Sequence, residues 1–172
     1  MTDPNEIQAS RRTRRRMTLL LLVWSIASIV LAPTIYWIAA TQESASRKFA
    51  EALALQFLIW GLIDLVFAAV GVISSRRSET SPGAVPDFTA EQRGVEKLLN
   101  ALRFNVKLNW FWVASGAVLL AAGVGAGWRG SSAESVGSLF GHGAGVLCQA
   151  GFLFWFDRSF LHKLQPAGPA GA

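Results

Sequence analysis

Two aspartates within long apolar segments are the residues of this chain most able to take part in chemistry. Asp64 lies near the middle of its segment, where a carboxyl group costs about 2.5–3.5 kcal/mol on membrane-insertion scales. Such a group could serve as a proton or cation site, since it can exchange a proton as its access to water changes. The alternative is an aspartate that only fixes helix packing. Asp157 lies at the inner end of its segment, where pairing with Lys107 or Arg103 is expected to offset its burial cost.

Further polar residues fall at about the depth of Asp64 when each segment is counted from its outer end at about 1.5 Å per residue. Ser28, Ser115 and Gln149 each come from a different segment. One polar residue per segment at one depth predicts a buried layer in which hydrogen bonds join the helices.

Gln56 and His142 form a second polar level nearer the outer face. His142 could relay protons toward Asp64, and the alternative is a structural, hydrogen-bonded histidine. A metal or haem site is not expected, because the only other histidine, His162, lies at the opposite end of the protein. The candidate intramembrane polar site therefore comprises Asp64, Gln149, His142, Gln56 and Ser115.

The elements that hold these residues are four apolar segments. Of the 172 residues, 52% are apolar and only 16% are charged, whereas soluble domains carry about 25% charged residues. The apolar runs cover 17–40, 52–73, 108–127 and 136–156, and about 20 residues of helix cross a hydrocarbon core. The sequence therefore predicts an all-α, integral membrane four-helix bundle.

The loop 74–107 is predicted to contain an additional cytoplasmic amphipathic helix before the third span. It begins with a linker at 74–87 that is rich in Ser, Gly and Pro. Apolar residues then recur at helical spacing: Val95, Leu98, Leu99, Leu102 and Val106. Three arrangements stay open for this helix: along the inner membrane surface, straight into the third span, or packed against the cytoplasmic ends of the bundle.

Lys and Arg residues predict the orientation, because cytoplasmic flanks are enriched in them. Thirteen of the 16 lie in the amino-terminal tail, the loop 74–107 and the carboxy-terminal end. The sequence therefore predicts a multi-pass protein of the cell (inner) membrane with both termini in the cytoplasm. Residues 1–16 and 162–172 are then cytoplasmic tails, the second rich in Gly, Pro and Ala, and 17–161 is the transmembrane domain.

The arginine-rich tail is expected to bind acidic lipid headgroups, since cations beside an anionic leaflet are attracted to it. The residues concerned are Arg11, Arg12, Arg14, Arg15 and Arg16. Topology explains the net charge of +5, so a nucleic-acid partner is not expected.

Three glycines spaced by four in the last span, Gly137, Gly141 and Gly145, allow helix backbones to approach closely. We expect them to pack inside the bundle, with homodimerisation as the alternative.

Three groups of residues form short motifs: Gln56…Trp60-Gly61, Leu102…Asn105…Asn109…Gly116 and Gly141-His142-Gly143…Gln149…Gly151…Asp157. In these motifs the chain resembles a family of small, uncharacterised bacterial four-helix integral membrane proteins. It departs from the pattern at Asp64, where the resemblance implies Asn, and at Asn109, where it implies Asp. The resemblance implies a fold and a membrane location, and no activity.

Motifs of enzymatic chemistry are not found in the sequence. It has no Gly-rich phosphate loop, zinc-protease helix or hydrolase elbow, so we expect neither an enzyme nor a cofactor. The favoured function is that of a structural or accessory membrane protein that packs with itself or with a membrane-protein partner, surrounded by lipid. The alternative is a small proton-coupled transporter or channel that uses the carboxyl group of Asp64.

Overall fold

The computed structural model describes residues 4–79 and 88–164, and within those ranges every regular element is an α-helix. The helices are α1 (Pro4–Ala39), α2 (Ser44–Glu79), α3 (Phe88–Trp128) and α4 (Ala133–Leu164). All four are long and apolar enough to cross a membrane. An α-helix pairs most of its backbone groups internally, which is what a spanning segment requires, although Pro33 removes one such bond from α1. The predicted all-α architecture of four helices is confirmed.

The helices extend beyond the predicted spans at the end of the bundle that carries most of the basic residues. We call this the basic end. The opposite end, which contains the short turns at 40–43 and 129–132, is called the hairpin end. α1 begins at Pro4, so most of the arginine-rich tail is helical. The prediction of a linker from residue 74 is wrong for 74–79, because α2 continues to Glu79. The sequence has no proline between Pro33 in α1 and Pro82, which lies outside the described residues, so no proline interrupts α2.

The amphipathic helix predicted for the loop is the first part of α3, which runs without interruption from Phe88 to Trp128. Its apolar stripe packs against α4: Leu99 and Leu102 are buried and form a core with Phe156 and Phe160 of that helix. The helix therefore runs straight into the third span and also packs against the end of the bundle.

Neighbouring side chains define the direction of each helix pair. Gly61 faces Ser28 and Gly71 faces Thr18, so α1 and α2 are antiparallel. Gly137 lies against Ala45 and Gly145 against Gln56, so α2 and α4 are parallel. Gly123 lies against Phe140 and Asn109 bonds to Asp157, so α3 and α4 are antiparallel. α2 and α4 occupy the centre, with α1 against α2 and α3 against α4. Both ends of the described chain therefore lie at the basic end.

The turn between α3 and α4 is stabilised by local hydrogen bonds. Gly130 has a φ of 73°, and the amide of Ser131 donates to the carbonyl of Ala126 at 3.0 Å, which is a Schellman motif. The hydroxyl of Ser132 then accepts the amide of Ser135 at 3.3 Å and caps α4. This tight connection fixes α3 antiparallel to α4.

Candidate polar site between the helices

Asp64 and Gln149 meet in the interior, between α2 and α4. Their relative exposures are 3% and 4%, and the Gln149 Nε2 donates to Asp64 Oδ2 at 2.6 Å. The indole Nε1 of Trp24, on α1, donates to Gln149 Oε1 at 3.0 Å. Because an indole can only donate, it fixes the amide so that Nε2 faces the carboxyl group. One carboxamide thus links three helices at one level.

Trp24 is itself held in place by α4. Its ring stacks on Phe152, with the centroids 3.9 Å apart and the planes 9° from parallel. Phe152 lies three residues after Gln149, on the same face of the helix. The aromatic stack therefore aims the indole donor at the carboxamide.

Gln56 and His142 form a second cluster nearer the hairpin end. The Nε1 of Trp60 donates to Gln56 Oε1 at 3.1 Å, and Gln56 Nε2 lies 3.0 Å from His142 Nδ1. The indole again fixes the amide, so Gln56 donates to Nδ1 and the ring proton of His142 is on Nε2. Trp60 packs edge-on against Trp112 of α3, with centroids 5.1 Å apart.

The two clusters lie at different depths. Gln56 precedes Asp64 by eight residues on α2, which is about 12 Å along the helix axis. His142 therefore bonds to Gln56 at its own level, and the structure makes no direct link between His142 and Asp64.

The two serines predicted at the depth of Asp64 do not join its hydrogen bonds. Ser115 donates to the carbonyl of Phe111, one turn back on its own helix, at 2.9 Å, a local bond that serine forms readily. Ser28 is fully buried against Gly61, and its hydroxyl makes no hydrogen bond. On α1, Trp24 rather than Ser28 supplies the hydrogen bond. The polar layer at the depth of Asp64 therefore joins three helices and not four.

Asp157 pairs with Asn109 at the level nearest the basic end. Both residues are 3% exposed, and Asn109 Nδ2 donates to Asp157 Oδ2 at 2.9 Å. The expected partners, Lys107 and Arg103, are exposed. Lys107 lies two residues from Asn109, roughly 200° around the helix, so it does not share the face on which Asn109 meets α4.

The glycine face of α4 lies against α2. A Cβ atom at Gly137 or Gly141 would collide with the carbonyl oxygen of Ala45 or Phe49, respectively. A Cβ atom at Gly145 would lie 2.5 Å from the Cβ of Gln56. The three glycines therefore bring α4 close enough for Gln149 to reach Asp64, and this face is occupied within one chain.

A model of the family DUF6992, a family of unknown function, matches residues 20–158. The chain belongs to DUF6992. The expectation of an uncharacterised family is thereby confirmed. No curated protein and no solved structure matches the chain.

The part matched to DUF6992 includes all the hydrogen-bonded pairs between helices described above, from Trp24 to Asp157. It begins after the arginine-rich part of α1. Of the five arginines predicted to bind lipid headgroups, Arg11, Arg12, Arg15 and Arg16 are exposed and Arg14 is half-buried.

The chemistry of the candidate site in this chain is that of paired carboxyl and carboxamide groups. Each buried aspartate accepts a hydrogen bond from an amide of another helix. Among the described residues, no group of three or more His, Cys, Asp or Glu residues could hold a metal ion. The arrangement joins helices, and it presents carboxyl groups in the interior of the bundle.

Proposed function

We propose that this chain is a multi-pass integral membrane protein with a structural or accessory role, whose buried polar residues hold its helices in one arrangement. The observation that carries the proposal is the link from Trp24 through Gln149 to Asp64, which uses the central carboxyl group as a hydrogen-bond acceptor between helices. Without a hydrophobic driving force between helices, bilayer proteins depend on such bonds and on close backbone packing.

The proposed location is the cell (inner) membrane, with both termini in the cytoplasm. Both ends of the described chain lie at the basic end, and the Lys and Arg residues of the sequence are concentrated there. Cytoplasmic flanks are enriched in these residues.

The outward faces of the helices support a partner within the membrane. Large apolar side chains there are widely exposed, among them Phe111, Val118 and Trp110 on α3. Lipid chains, a second copy of the chain or another membrane protein would cover such a surface. Since the glycine face is occupied by α2, we assign any association to these larger side chains.

A second candidate function is proton-coupled transport through Asp64. One observation favours it. Asp64 and Asp157 are both buried, and among the described residues the only hydrogen bond to each carboxyl group comes from a carboxamide. Intramembrane carboxyl groups mark proton pathways in many transporters.

The substitution Asp64→Asn separates the two functions. An asparagine oxygen can still accept from Gln149, so under the structural proposal Asp64→Asn lowers the free energy of unfolding less than a substitution that removes the acceptor. Vesicles containing either protein then show the same proton flux, followed with an internal pH dye. Asp64→Leu is the matched control, because it removes the acceptor and should lower stability.

A pH-dependent flux in wild-type vesicles that Asp64→Asn abolishes would contradict the structural proposal and establish the transport function.

A further inference from the structure

The guanidinium group of Arg14 carries two buried hydrogen-bond donors. Within the described residues, its Nε and Nη2 atoms are buried and make no hydrogen bond. A guanidinium remains charged at physiological pH. Burying such donors without an acceptor carries a large free-energy cost. A ligand with negative oxygen atoms would remove that cost.

The surroundings of this group place it between α1 and α3. Nη1 lies 3.6 Å and Nη2 3.9 Å from the position that a Cβ atom of Gly94 would occupy. The absence of a side chain at Gly94 leaves space beside the guanidinium. Met17, one turn further along α1, and Val95, next to Gly94, pack against the apolar core of Leu and Phe residues. Arg14 therefore lies where this core ends.

We propose that Arg14 binds a phosphate oxyanion at this position, and that in the membrane the oxyanion is the headgroup of an anionic phospholipid. The Nε and Nη2 atoms form one edge of the guanidinium, which matches two oxygen atoms of a phosphate group. The source of the phosphate rests on the proposed membrane location, because Arg14 precedes the first apolar run by one turn and so lies at the level of lipid headgroups.

The charge around the site favours an anion. Arg11 and Arg15 flank Arg14 on α1, and Lys97 lies one turn after Gly94 on α3. These side chains are exposed, so they attract anions to this end of the bundle without fixing where an anion binds. Arg14 differs from them because two of its donors, Nε and Nη2, are buried.

The test is a titration of the purified full-length chain in neutral detergent with phosphatidylglycerol, phosphatidylcholine or inorganic phosphate. Binding is followed by the midpoint of thermal unfolding and by native mass spectrometry. Phosphatidylglycerol is expected to bind, and Arg14→Gln to weaken it by about tenfold or more. Arg16→Gln is the matched control: it removes the same charge from an exposed position on the same helix, and its smaller effect should vanish at high salt.

A second variant keeps every cation of the chain. In Gly94→Leu, the carbons beyond Cβ fill the space beside the guanidinium, so binding should fall as in Arg14→Gln. Equal effects of Arg14→Gln and Arg16→Gln, or unchanged binding in Gly94→Leu, would overturn the site.

The titration arms also identify the source of the phosphate. Stabilisation by inorganic phosphate at least equal to that by phosphatidylglycerol would overturn the lipid assignment and leave a site for soluble phosphate. A failure of the membrane proposal would be seen separately, as protein that stays dissolved after the detergent is removed.

Discussion

At the hairpin end α4 contacts α2 through glycines, whereas at the basic end α4 contacts α3 through large apolar side chains. Gly137 and Gly141 bring the backbone of α4 against that of α2. At the basic end, Leu99 and Leu102 of α3 are buried with Phe156, Phe160 and Leu164 of α4. Under the proposed membrane location, different forces hold the two regions: close backbone packing within the bilayer, and burial of apolar area near its surface.

One polar pair, Asp64 and Gln149, lies between these two regions, and the other, Asp157 and Asn109, lies within the region at the basic end. Gln149 reaches Asp64 one turn beyond the last glycine contact, at Gly145. Asn109 reaches Asp157 beside the Leu and Phe core. Close glycine packing thus brings the first pair into contact, and the apolar core excludes water around the second.

The largest expected effect comes from truncating the apolar core at the basic end. Phe160 is 2% exposed, so Phe160→Ala should lower the free energy of unfolding by about 3–5 kcal/mol. Phe104→Ala is the matched control, because Phe104 is 64% exposed at the same end. The measurement is denaturant-induced unfolding in detergent micelles. Equal losses in the two variants would mean that no water-excluded core exists at this end.

An intermediate effect is expected at the glycine contact. Gly141→Leu places a side chain against the backbone of Phe49, and overpacking of this kind costs about 1–3 kcal/mol. Gly151→Leu adds the same side chain where nothing lies within 4 Å of a Cβ atom. The same unfolding assay should show that Gly141→Leu is less stable than Gly151→Leu. If Gly141→Leu were as stable as Gly151→Leu, the close approach of α4 to α2 would be refuted.

The sequence was sufficient for the architecture because a spanning helix needs only length and apolar composition. Counting residues from the ends of the segments assigned Asp64 and Gln149 to one depth, and the structure brings them together. The same count included Ser115, which bonds within its own helix. Depth is thus readable from sequence, but the direction in which a side chain points around its helix is not.

The indole donors of Trp24 and Trp60 were the residues that sequence reasoning missed. A tryptophan in an apolar run looks the same whether it faces lipid or a carboxamide. For Trp60 a signal was available, since Gln56 lies four residues before it and i, i+4 side chains meet on a helix. For Trp24 no local signal exists, because Gln149 is 125 residues away.

The central claim is that a hydrogen bond between Gln149 and Asp64 stabilises the arrangement of the helices, and a double-mutant cycle tests it most directly. The free energy of unfolding is measured for the wild type, Gln149→Ala, Asp64→Ala and the double variant. We expect a coupling energy of about 0.6 kcal/mol, the average for hydrogen bonds between membrane helices, and at most about 1.7 kcal/mol. The control cycle pairs Asp64 with Ser115, and its effects should be additive. A Gln149–Asp64 coupling below about 0.3 kcal/mol would contradict the account.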